Sequence, residues 1–212
     1  MANILVTGAD GGIGSAICTL LRDAGHHVVK VTRTDADLAS AHAIKTLKEH
    51  IATTQEFDWV ICAQGFIDTE TVLEKQTPDT IAATFNINTL ATIYLAQQFV
   101  PHLARGGGMI AISSAAGIQA NGRFSVYSAS KAAVNSFMQA MARNRPEQNF
   151  FAVCPGPTNT TMRERIAHDA KEMQSPKVIA EVVATLINHA SSYKSGDLIL
   201  VKDGSATLAG RL

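Results

Sequence analysis

The stretch NILVTGADGGIGSAICTLL, residues 3–21, runs from a short apolar strand pattern through a glycine-rich turn into a helix pattern. Asn3 to Thr7 read as a strand, and Ile13, Ile17, Leu20, Leu21 and Ala24 recur at helical spacing until Gly25 stops them. The same alternation continues outward. HVVKVT (27–32), FDWVICA (57–63), GMIAISS (108–114), NFFAVC (149–154) and DLILV (197–201) have strand character. Helix patterns lie around Ile44 and Leu47, from Thr77-Pro78-Asp79 to about Leu103, from about Ser125 to Asn144, and from Ser175-Pro176 to Ile187. Near-continuous apolar strands separated by helices predict a doubly wound parallel sheet of six to seven strands with helices on both faces, a Rossmann fold. One domain over residues 1–212 accounts for the length. The polar piece TTMRERIAHDAKEMQSP, residues 160–176, is the one excursion and is read as a short lid that forms a solvated helix.

The chain has 212 residues, 46% of them hydrophobic, which suits one core and argues against disorder. Lys plus Arg and Asp plus Glu are both 18, so global charge gives no reason to expect nucleic acid or an anionic membrane as partner. Cys18, Cys62 and Cys154 lie far apart in apolar runs without a CxxC, as in a reduced intracellular protein, and the seven histidines show no ligand spacing, so no metal is expected. No apolar run approaches the roughly 20 residues of a membrane span. The expectation is a soluble cytoplasmic protein.

In such folds ligands bind beyond the carboxyl ends of the strands, where TGADGGIG places Gly8, Gly12 and Gly14. Glycine permits positive φ and a close approach to a pyrophosphate, and the helix that follows offers free N–H groups. A second motif, YSASK, sets Tyr127 and Lys131 four residues apart on one helical face. A lysine ammonium beside a phenol favours its ionised form, so the two read either as an ordinary helix surface pair or as a tuned acid/base pair.

The spacing TGxxxGxG with YSASK resembles the short-chain dehydrogenase/reductase family, as a compact classical-type member. The likeness extends over nearly the whole chain, through NINTLATIYLAQQFVPHL, ISSAAG, CPGPTNT and SGDLILVKDG. It implies that Tyr127 gives or takes the proton, that Lys131 also binds the nicotinamide ribose, and that Ser114, with Ser113 as the alternative, steadies the carbonyl oxygen. Asn88, thirteen residues before Pro101, stands where the family holds its proton-relay water, with Asn86 nearby.

The resemblance gives cofactor contacts to Gly8, Asp10, Gly11, Gly12, Ile13 and Gly14 at the glycine turn. It gives others to Ala63 and Gly65 after the third strand, to Pro155, Gly156, Thr158 and Thr160 in CPGPTNT, and to Tyr127 and Lys131. CAQG (62–65) departs from the family's NNAG: Cys62 and Ala63 replace the asparagines and Gln64 replaces alanine, so the asparagine side-chain contacts do not carry over.

Arg33 just beyond the second strand favours NADP(H) by pairing with the 2′-phosphate, while Asp35 leaves NAD(H) open. Asp37 and Leu38 resemble the pair beside the adenine, reached so soon that the family's third strand is vestigial or absent. The function implied is an NADP(H)-dependent oxidoreductase interconverting a ketone or aldehyde and its alcohol, with a small-molecule substrate and a homodimeric or homotetrameric assembly. A non-catalytic NADP(H)-binding sensor is the alternative. Phe124, Met162 and Met173 suggest an apolar pocket, with Arg123 and Arg163 as candidate anchors for an acidic group.

Overall fold

The computed structural model describes residues 1–51, 56–166 and 173–210. Among them, β1 (Asn3–Thr7), α1 (Gly12–Asp23), β2 (His27–Val31), α2 (Ala41–Ile51) and β3 (Phe57–Cys62) build the first half. The second half continues with α3 (Pro78–Phe85), α4 (Ala91–Phe99), β4 (Leu103–Ile112), α5 (Ser125–Asn144), β5 (Asn149–Pro155), α6 (Thr161–Glu164), α7 (Pro176–Asn188), β6 (Leu198–Lys202) and β7 (Ser205–Gly210). The strands form one seven-stranded sheet in the order β2-β1-β3-β4-β5-β6-β7. All neighbours are parallel except β6 and β7.

Because side chains alternate across a strand, each central strand feeds two cores. Leu5, Phe150 and Ala152 pack with Leu95, Val134 and Met138 under α4 and α5. Their neighbours Ile4, Val6, Phe151 and Val153 pack with Ile17, Leu21, Ile179 and Val183 under α1 and α7. This two-sided burial is why the strands are apolar without a polar phase. The topology switches beside β1: its neighbours in the sheet are β2 on one side and β3 on the other, so the loops after β1 and β3 diverge and leave a crevice.

Two expectations are corrected. The long helix read from Thr77 to Leu103 is broken by a π-helical turn at Asn86–Leu90 and by a 3₁₀ turn at Val100–His102, where Pro101 ends helical hydrogen bonding. The fourth strand starts at Leu103 rather than at Gly108, with a register shift opposite Phe57 and Trp59. Within the expected lid the described residues hold a helix at Thr161–Glu164, and residues 167–172, with His168, lie outside the described residues. By contrast, α5 spans the expected Ser125–Asn144, and α7 starts at Pro176 with the Ser175 hydroxyl accepting from Lys177 N.

Candidate active site

The glycine turn sits in the crevice beside β1. Gly8 has φ +65°, and a Cβ there would lie 2.6 Å from Gln64 N and 2.8 Å from the Ala63 carbonyl oxygen. At Gly14 a Cβ would run into the Gly8 carbonyl, and at Gly12 it would lie 2.7 Å from Thr160 Cγ2. The turn therefore needs glycine to pass under residues 63–64 and beneath Thr160. Helix α1 opens at Gly12 with Gly11 as its N-cap and no side-chain capping bond, and Asp10, Gly11 and Gly12 are exposed. Uncapped N–H groups and the positive end of a twelve-residue helix fit a pyrophosphate. Gly8→Ala is expected to cost at least about 1–2 kcal/mol from the left-handed backbone alone. It should also abolish saturable dinucleotide binding, as read by NADPH fluorescence titration beside a thermal melt.

Next to the turn lies a cavity of 510 Å³ whose wall includes Ile13, Ala63, Gly65, Ser114, Tyr127 and Lys131 on one side and Pro155, Gly156, Thr158 and Thr160 on the other. Apolar wall comes from Phe124, Met162 and Ile118. Arg163 also lines it, whereas Arg123 is exposed and lies over the Phe124 ring at 5.5 Å. Met173 is half-buried and does not line the wall.

The loop after β4 separates its two serines. Buried Ser113 turns inward and donates to the Lys131 carbonyl at 3.1 Å. Ser114 N-caps the following 3₁₀ turn, its hydroxyl accepting from Ala116 N at 3.1 Å, and lines the cavity together with Tyr127. Lys131 is 3% exposed, and its ammonium donates to the Ile112 carbonyl at 2.9 Å. Asn88, in the π turn, grips Phe66 twice: its Oδ1 accepts from Phe66 N at 2.7 Å and its Nδ2 donates to Phe66 O at 2.9 Å. A third bond runs from Nδ2 to Ser130 Oγ on α5. Gly65 lies between Asn88 and Lys131, a Cβ there being 3.6 Å from Asn88 Oδ1 and 3.8 Å from Lys131 Nζ. Ser114, Tyr127 and Lys131 line this end of the cavity, whereas buried Asn88 stands behind Gly65 and is not part of the wall.

The electrostatics differ from the expected tuning of Tyr127 by Lys131. Burial pushes the Tyr127 phenol above its ordinary value, and the Ser114 hydroxyl opposes this. The Lys131 ammonium stands 5.9 Å from the Tyr127 ring centroid and is directed to a carbonyl instead. Burial also pulls Lys131 down to about 8, partly offset by the Cys154 and Cys62 thiols, themselves pushed up to about 12 by burial. Desolvation outweighs the charge pair in both groups.

The rest of the CPGPTNT segment is tied to the sheet: Gly156 N donates to Val201 O at 2.8 Å, and the Thr158 hydroxyl donates to Gly156 O at 2.9 Å. Thr160 N-caps α6 by accepting from Arg163 N. Arg33, Asp37 and Leu38 lie apart from the cavity wall at the end of β2. Arg33 is exposed, Asp37 accepts from Ala39 N at 3.0 Å, and Leu38 is buried in the core under α2. Asp35 accepts from both the N–H and the hydroxyl of Thr32, which holds its carboxyl below the usual range. Sequence reading missed Ser130 and the Ile112 carbonyl as partners of the site, since neither pairing has a local signal. Among the described residues no group of His, Cys, Asp and Glu could hold a metal ion, and no helix is long and apolar enough to cross a membrane.

A family model for short chain dehydrogenases matches residues 2–58 and 30–171. The chain is 30% identical to an acetoacetyl-CoA reductase of Synechocystis, over 96% of each chain. It is 29% identical to the 3-oxoacyl-[acyl-carrier-protein] reductase MabA of Mycobacterium tuberculosis, over 95% of this chain and 92% of that one. A 3-ketoacyl-(acyl-carrier-protein) reductase from Brucella melitensis complexed with NADH shares the fold, with TM-score 0.89, 17% identity and coverage of 96% and 97%. So does a short chain dehydrogenase from Burkholderia cenocepacia in complex with NADP, with TM-score 0.84, 24% identity and coverage of 95% and 96%. The chain belongs to the short-chain dehydrogenase/reductase family, whose members are oxidoreductases acting on CH–OH and C=O groups.

Proposed function

We propose that the protein is an NADP(H)-dependent reductase of ketones or aldehydes, with Tyr127, Ser114, Lys131 and Asn88 as its reacting set. The observation that carries this reading is that Ser114 and Tyr127, with Lys131 one turn on from Tyr127, all line the same cavity beside the glycine turn. This puts two hydroxyls where a carbonyl oxygen can take a bond from each. Bound dinucleotide supplies the hydride. Ser114 orients the carbonyl and stabilises the charge that grows on its oxygen, and Tyr127 delivers the proton to that oxygen. Lys131, held by Ile112, would bind ribose hydroxyls and, with Asn88, return a proton to Tyr127. The uncapped start of α1 and Gly8, Gly12 and Gly14 would hold the pyrophosphate, Thr158 and Thr160 would border the nicotinamide, and residues 160–176 would act as the lid.

Exposed Arg33, in no ion pair among the described residues, supports a 2′-phosphate partner, while Asp35 is already engaged by Thr32. Reductases of 3-oxoacyl thioesters among the relatives support carbonyl reduction as the working direction. The test is a fluorescence titration with NADPH and, separately, NADH, followed by turnover on a panel of carbonyls. Tight binding without turnover on any of them would sink the catalytic reading in favour of a cofactor-binding sensor. Arg33→Ala should weaken NADPH about 10–100-fold, the loss of charged hydrogen bonds, and leave NADH within about twofold. Equal losses for both dinucleotides would remove Arg33 from the discrimination.

A further inference from the structure

Gln64 is 8% exposed, and its side-chain amide is bonded through both its oxygen and its nitrogen. The Thr7 hydroxyl donates to Gln64 Oε1 at 2.6 Å, and Gln64 Nε2 donates to Thr92 Oγ1 at 3.2 Å. The Thr92 hydroxyl then donates to the Asn88 carbonyl at 3.2 Å. The short first bond has O–H···O length and the second N–H···O length, which fixes the orientation of the amide. Each hydroxyl has one proton, so with Gln64 N–H on its oxygen, Thr92 turns its own proton toward Asn88. A second path from the same segment ends on the same residue, since the Asn88 amide grips both the N–H and the C=O of Phe66. At its other end Gln64 touches the glycine turn, its backbone N lying 2.6 Å from where a Gly8 side chain would begin.

We infer that Gln64 is a positioning residue for proton transfer: through Thr92 it holds the Asn88 backbone carbonyl and braces the π turn, whose Asn88 side chain faces Lys131 across Gly65, against the glycine turn. This rests on the reading that Asn88 and Lys131 serve the proton relay. The amide spans from β1 to α4, a distance alanine at position 64 has no atoms to cover. One lone pair of the Asn88 carbonyl is taken by Thr92, and the brace decides where the other one points.

The test compares Gln64→Met, which keeps the volume and removes both bonds, with Thr92→Val and with the double variant. Each single change should lower kcat about tenfold, with the double variant no worse than either, since residues acting in series are not additive. The pH dependence of kcat should shift in the same three proteins, while the dissociation constant for NADPH stays within twofold. Unchanged kcat, losses that multiply in the double variant, or NADPH binding weakened by the same factor as kcat would each overturn the inference. Thr92→Val leaves Gly8 untouched and carries the test alone if Gln64→Met does not fold. Lys131→Met separates the two levels. If it turns over normally, the relay reading itself fails, and if it is inactive while Gln64→Met is not, only the role of Gln64 fails.

Discussion

Tyr127→Phe is expected to lower kcat by about 10²–10⁴-fold, the usual worth of a positioned acid or base, with NADPH affinity within about twofold of the parent. Removing one oxygen leaves the ring in place on α5 and takes away the hydroxyl that shares the cavity wall with Ser114. Steady-state kinetics beside a cofactor titration separates loss of chemistry from loss of binding. A variant that keeps more than a tenth of the parent kcat would exclude Tyr127 as the proton donor. The raised phenol pKa also sets a direction in pH. At neutral pH the phenol holds its proton and serves carbonyl reduction. Alcohol oxidation needs the phenolate, so its rate should climb with pH toward the phenol's titration above about 10. An oxidation rate that is flat from pH 7 to 10 would contradict this.

Lys131→Met should abolish turnover and, at the same time, stabilise the fold. The shift from 10.5 to about 8 corresponds to about 3 kcal/mol lost by burying the ammonium. The substitution gives up the bond to the Ile112 carbonyl, worth about 1 kcal/mol, so a net gain of about 2 kcal/mol is expected. For a chain of this size that raises Tm by about 4–8 °C. The sign follows from proton counting: between pH 8 and 10.5 the unfolded lysine keeps a proton that the folded one releases. The penalty is full below about 8 and fades as pH rises to 10.5, so the difference between parent and variant should shrink across that window. Cys62 and Cys154 give the opposite slope above pH 9, but they are common to both proteins. A variant less stable than the parent at pH 7 would mean that Lys131 is compensated within the site.

Much of this architecture was legible because local and global signals agree. Ser175 with Pro176 marks the start of α7 through its own hydroxyl, and the glycines mark a turn whose backbone permits no Cβ at Gly8 or Gly14. The π turn was not legible, because Asn86–Leu90 continues the helical pattern and its slip comes from packing against α5. Strand β7 was overlooked although Asp203-Gly204 is a hairpin signal: both have positive φ, at 52° and 75°, but the exposed SATLAG that follows lacks strand alternation. At the site, spacing identified the residues that meet. It did not show that burial would govern Tyr127 and Lys131, because desolvation depends on everything that surrounds a group.

The sheet order gives β2 a neighbour on one side only among the described residues. Where the family's additional strand would lie, five residues of backbone offer N–H and C=O groups along a free margin, an invitation for another extended chain to add on. The chain limits that hazard by brevity and by charge: the strand is short, and Lys30 and His27 stand exposed on it. Economy of length is therefore coupled to colloidal behaviour, and these two side chains guard against self-association as the concentration rises.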